Sequence, residues 1–128
     1  MSATASTSSQ PLAERLAASE AFRSFAIVFA LASPILYTIC EMANWPLFTY
    51  HPATNQIDLG WAPSVRDVGP AMHWYGWTAS MLLGSAILGL IAARLPGLVR
   101  AIPLSLLWIL PLLVQPVLIY GLRFYWRW

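Results

Sequence analysis

The chain reads as an all-α polytopic membrane protein with three transmembrane helices and a short outer-side β-hairpin or loop. Three observations carry that reading. Of 128 residues, 59% are hydrophobic and only 9% are charged, against about 25% charged in an ordinary soluble domain. A soluble chain this short keeps too large a surface-to-volume ratio to bury so much apolar surface, and a mean hydropathy of +0.63 makes lipid the natural solvent for much of it. Three long segments also carry no charge at all. The same composition excludes intrinsic disorder, a disulfide scaffold (Cys40 stands alone) and a nucleic-acid binder. Seven arginines face five acids, for a net charge of only +2.

Residues 1–21 read as a flexible N-terminal tail, Ser/Thr/Ala-rich at first and then suited to a short interfacial helix from Pro11. Ser9 is its expected cap, and Leu12, Ala13 and Leu16 share an apolar face with Phe22. Residues 22–128 form the three-helix transmembrane domain, with spans at about 24–41, 73–94 and 101–122. The first charge-free run lies between Arg23 and Glu41, the second stops at Arg94, and the third stops at Arg123. Such spans cover roughly 25–33 Å as helices, enough for a hydrocarbon core of about 30 Å. Backbone in lipid must satisfy its own hydrogen bonds, so the spans are helical. Ala30-Leu31-Ala32 has the look of a signal-peptidase site, but the apolar run before it is too short for a cleaved signal.

Pro34 falls within the first span and Pro103, Pro111 and Pro116 within the third, where kinks are expected. In the second span Gly76, Ser80 and Gly84 recur at four-residue spacing, and Ser85, Gly89 and Ala93 form another such row. Small residues at that spacing let helix backbones approach closely. Two rows place this helix between the first and third, or between its own bundle and a partner.

Residues 43–72 are the one long extramembrane segment, cut too often by polar residues to span. Leu47-Phe48-Thr49-Tyr50 reads as a strand, 52–55 as a turn and Gln56-Ile57-Asp58-Leu59 as the return strand. Pro63, Gly69 and Pro70 break further regular structure, and an irregular loop is the alternative to the hairpin.

Arg15, Arg23, Arg94 and Arg100 fall on one side of the membrane, against Arg66, Arg123 and Arg127 on the other. The positive-inside rule then puts the N-terminus in the cytoplasm and the C-terminus in the periplasm of a cell inner membrane. Aromatic residues crowd the outer side: Trp45, Trp61, Trp74, Trp77, Trp126 and Trp128, with Phe48, Tyr50, Tyr75, Phe124 and Tyr125. An interfacial aromatic belt accounts for much of this. The excess on one side also suits a docking surface or a cradle for a lipid-soluble ligand.

The candidate cofactor- or ligand-binding residues are His73, Glu41, Trp74 and Trp77, because Glu41 ends one span and His73 begins the next. A helix N-terminus favours neutral imidazole, which hydrogen-bonds or ligates. Met42 and Met72 flank the pair, so His51, His73, Met42 and Met72 are the candidate ligands of a soft metal such as Cu(I). Nothing in the sequence requires a cofactor, and no catalytic constellation or nucleotide-binding motif occurs. No ionisable residue lies centrally in any span, where ion-coupled transporters place them. The expected function is that of a non-enzymatic accessory or structural subunit of a larger membrane complex. Its expected partners are the lipid bilayer and a membrane protein or a second copy, with no nucleic acid. The alternative is an outer-side binding protein for a metal or lipid-soluble ligand, or a minor membrane enzyme.

Overall fold

The computed structural model describes residues 11–123. Ser9 and the terminal aromatic residues Phe124, Tyr125, Trp126 and Trp128 lie outside the described residues. The chain is mostly helical with one small antiparallel sheet: α1 (Leu12–Ala18), α2 (Glu20–Ala43), β1 (Phe48–His51), β2 (Gln56–Leu59), α3 (Trp74–Ala93), α4 (Pro96–Val99) and α5 (Leu106–Gly121).

Two helices are separated at Ser19, whose backbone is extended (φ −78°, ψ 123°) and whose hydroxyl accepts from the Phe22 N–H at 3.4 Å. Serine is a favoured N-cap because its side chain satisfies a donor that the first helical turn leaves open. The tail helix therefore does not run straight into α2. At its other end α2 stops at Asn44, which adopts the left-handed conformation (φ 53°). The Trp45 N–H reaches back to the Cys40 carbonyl at 2.9 Å and the Asn44 N–H to that of Glu41 at 3.3 Å. This pairing is a Schellman closure, which turns the chain sharply into the hairpin.

Pro34 sits inside α2 without ending it. Around the proline, the Ser33 hydroxyl donates to the Phe29 carbonyl and Thr38 to the Pro34 carbonyl, each at 2.7 Å. Side-chain hydroxyls commonly bond backbone carbonyls around an intrahelical proline in this way.

Helices α2 and α3 are each long and apolar enough to cross a membrane, whereas α5 is apolar but shorter. The span expected at 101–122 becomes helical only at Leu106. Before it the chain makes tight three-residue turns through Pro103 and Leu104, and the proline ring disfavours helical backbone at the preceding Ile102. The helical part covers roughly 24 Å.

α2 is the central helix. α3 packs along one side of it and α5 along another, and α5 does not pack on α3. The expectation that the small-residue helix lies between the other two is thus corrected. The middle of its two rows, Gly84, Ser85 and Gly89, faces α2. A β-carbon at Gly84 would lie 2.9 Å from Leu36 Cδ1, and one at Gly89 would lie 2.7 Å from the Phe25 ring. Between them Ser85 is fully buried and receives the Ser33 hydroxyl at 3.1 Å. The remaining face of α3, with Leu83, Ile87 and Leu90, is exposed.

The hairpin forms rather than the irregular loop, with its first strand one residue later than the sequence suggests and its return strand at Gln56–Leu59 as expected. Phe48 pairs with Leu59, Thr49 with Asp58, Tyr50 with Ile57, and His51 with Gln56. Asn55 supplies the left-handed turn residue (φ 53°). The free edge of β1 is taken by Met72, which exchanges two backbone hydrogen bonds with Tyr50 at 2.8 and 3.1 Å.

This packing gives an ordered expectation for substitutions on α3. Gly89→Leu is more damaging than Gly84→Leu, because Leu36 can swing a methyl aside. Gly89 instead faces the Phe25 ring and its carbonyl oxygen, the latter 3.2 Å from the added β-carbon. Overpacking costs about 1–3 kcal/mol, read as loss of thermal stability in mild detergent. Leu90→Ala, on the exposed face, leaves that stability unchanged.

Candidate functional site

The residues with most chemistry gather where α2, the hairpin and the start of α3 meet. Gly76 makes this meeting possible. A β-carbon there would lie 1.9 Å from the Phe48 carbonyl oxygen and 2.5 Å from Pro46 Cβ. The first turn of α3 thus rests directly on β1, and the Gly76 carbonyl accepts from the Leu47 N–H at 3.0 Å.

Thr49 is wholly buried (0% exposed) and crosslinks the hairpin to the loop after it. Its hydroxyl donates to the Gly60 carbonyl at 2.8 Å and accepts from the Ala62 N–H at 3.0 Å. His73 is the next link. Its Nε2 lies 2.9 Å from the Ala62 carbonyl oxygen; since a carbonyl can only accept, Nε2 carries the proton. The imidazole lies between Trp61 and Trp77, with both ring separations 6.2 Å and interplanar angles of 8° and 24°. Trp77 then donates its indole N–H to Asn44 at 3.3 Å, and Ser80 donates to the Trp45 carbonyl at 3.0 Å. A continuous set of polar contacts therefore runs from the hairpin through His73 to the capped end of α2.

A separate aromatic group covers the other face of β1. Tyr50 meets Tyr75 edge-on at 6.0 Å, and Tyr75 stacks on Trp74 at 3.8 Å. The Tyr50 hydroxyl donates to Asn55 Oδ1 at 3.1 Å.

The nominated residues are distributed unevenly over this frame. His73 and Trp77 come together, whereas Trp74 joins the second aromatic group. Glu41 turns toward α5: its Oε2 is buried, makes no hydrogen bond with a described residue, and lies 3.6 Å from where a Gly121 β-carbon would sit. No ion pair joins it to His73. His51 is 1% exposed, and its Nε2 lies 3.1 Å from Asp58 Oδ2. The carboxylate approaches off the ring N–H direction, so neither ring nitrogen makes a true hydrogen bond. Met72 pairs with Tyr50 and so projects from the opposite face of the strand to His51, while Met42 is exposed on α2. Among the described residues no group of three His, Cys, Asp or Glu side chains is placed to hold a metal ion.

Thr49, Asp58 and Asn44 were not nominated from the sequence, although one signal for the first two was present. The strand period of two puts Thr49 and His51 on one face, and the hairpin register brings Asp58 beside them. Asn44 had no such signal, because its link to Trp77 spans 33 residues.

Removing the Thr49 hydroxyl leaves the half-buried Ala62 N–H without a partner, a cost of about 1 kcal/mol. Thr49→Val therefore lowers thermal stability and speeds hydrogen exchange at the Ala62 amide, whereas Thr49→Ser keeps both near the parent values. No family model matches this chain, and no curated protein or solved structure matches it either.

Proposed function

We propose that this chain is a multi-pass inner-membrane protein serving as an accessory or structural subunit of a larger membrane complex. Its N-terminus lies in the cytoplasm and its C-terminus in the periplasm. The observation that carries the reading is the aromatic head, whose polar groups bond inward while its rings and aliphatic side chains face out. Thr49, His73, Asn44 and Ser80 are engaged in crosslinks within the head. Outside that frame Trp45 is 66% exposed and Leu59 91% exposed, with Trp61, Trp74 and Ile57 beside them. Such a surface suits the membrane–water interface and the hydrophobic centre of a protein contact.

A second reading rests on His51, a buried imidazole without a true hydrogen bond. Buried polar groups without partners are uncommon and sometimes mark a ligand position. In this reading the head binds a soft metal or a lipid-soluble ligand. Copper content of the purified protein that falls in His51→Ala and His73→Ala favours it; unchanged content removes the metal version.

Two measurements test the leading proposal. Reporter fusions at Leu12 and within 95–100 should report the cytoplasm, and fusions near residue 60 and at Trp128 the periplasm. A cytoplasmic Trp128 would mean that α5 does not cross. Purification in mild detergent should retain a stoichiometric membrane partner, and the double variant Trp45→Ala/Leu59→Ala, at two of the most exposed side chains of the head, should lose it while keeping the fold. A parent chain that purifies alone, without a partner or a second copy, overturns the subunit assignment.

A further inference from the structure

At the end of the bundle away from the hairpin, the first turn of α2, α4 and the turns entering α5 enclose a cavity of about 400 Å³. Its wall has two chemistries. Arg23, Ser24 and Arg100 supply polar groups, and Ile27, Val99 and Ile102 supply apolar ones. Glu20 also lines it and pairs with Arg100. Two arginines against one glutamate leave one positive charge on the lining. A guanidinium has five N–H donors, so Arg100 retains donors beyond its contact with Glu20. Arg23 makes no ion pair with a described residue.

Ser24 is an independent pointer to a ligand. It is only 4% exposed, yet its hydroxyl makes no hydrogen bond with a described residue. A helical serine usually donates to the carbonyl four residues earlier, as Ser33 does in the same helix. A hydroxyl that reaches the cavity wall from an otherwise buried serine, beside a guanidinium with no ion pair to a described residue, is a donor set for an anion. The helix N-terminus adds to the same potential.

We propose that this cavity binds the phosphate of an anionic phospholipid, with Arg23, Arg100 and Ser24 on the headgroup and an acyl chain along Ile27, Val99 and Ile102. The inference rests on the membrane-spanning reading of α2 and α3. Position and wall chemistry select the lipid over free phosphate. Ser24 opens the charge-free run of α2, which sets Arg23 at the depth of the headgroups, and inorganic phosphate has nothing to place on the apolar wall. The net positive lining selects an anionic headgroup over a zwitterionic one, whose cation would face the arginines.

The test is native mass spectrometry of the full chain released from detergent micelles, with dioleoyl-phosphatidylglycerol, dioleoyl-phosphatidylcholine or inorganic phosphate added. One phosphatidylglycerol should be retained, on the order of tenfold more tightly than phosphatidylcholine, whose choline cation is repelled by the arginines. Inorganic phosphate should not be retained. Arg23→Gln and Arg100→Gln should each weaken retention by a similar factor, and Arg15→Gln, outside the cavity, should leave it unchanged. Equal retention of both lipids by the parent chain overturns the proposal without recourse to any variant. So does retention of phosphate alone, or an Arg15→Gln effect as large as that of Arg23→Gln, which would mark a diffuse basic surface. Alkaline carbonate extraction keeps the two readings apart. Release of the protein from membranes refutes the spanning helices, whereas resistance with no lipid preference refutes only this site.

Discussion

At Gly76 the backbone of α3 meets that of β1 with no room for a β-carbon, and the architecture of the hairpin end depends on this contact. Lipid tails are as apolar as leucine, so helices in a bilayer gain little from hiding apolar surface against one another. Close packing and interhelical hydrogen bonds supply the association instead. Gly84 and Gly89 continue the close approach along α2, with Ser85 bonded to Ser33 between them. Because Gly84, Ser85 and Gly89 turn toward α2 while Gly76 rests on β1, α3 is held along one side and its opposite face is exposed. α5 then has only the other side of α2 to occupy.

A contact this tight at the start of α3 brings polar backbone into a crowded place, and the head is built from the groups that satisfy it. Thr49 serves one carbonyl and one N–H, His73 serves the Ala62 carbonyl, and Met72 pairs the open edge of β1. An unpaired strand edge is otherwise a template for another chain. The stack of Trp61, His73 and Trp77 holds the loop over β1 while the Trp77 N–H reaches Asn44. His51 departs from this pattern, buried beside Asp58 without good hydrogen-bond geometry.

The two ends of the bundle consequently present different chemistry. One end is aromatic, with its donors and acceptors largely turned inward, and suits an interfacial or protein contact. The other carries arginines around an open cavity, with a buried serine donor still free to bond. α2 links both ends, since its first turn lines the cavity and its left-handed cap begins the hairpin. A protein subunit held in place by partner contact at one end and lipid contact at the other is consistent with both surfaces.

Composition and hydropathy by themselves determined that the chain is helical and apolar and where its long helices fall, and residue types at 47–59 suggested a hairpin, which the strand pairing decided over an irregular loop. Those features follow from local rules: charge-free run length, strand alternation, and turn residues such as Asn55. Hydropathy also marked 101–105 as part of a span, but it does not register the backbone restriction that Pro103 places on Ile102, and α5 begins only at Leu106. Small-residue spacing identified α3 as a packing helix without identifying its neighbour, because a glycine row records closeness and carries no address. Tertiary structure alone decided that Gly84, Ser85 and Gly89 face α2 while Gly76 meets β1, that Glu41 turns to α5 rather than to His73, and that Asn44 meets Trp77. Each of these depends on the rotation of one helix about its axis relative to another. That rotation is settled by contacts between residues far apart in the chain, which no local pattern encodes.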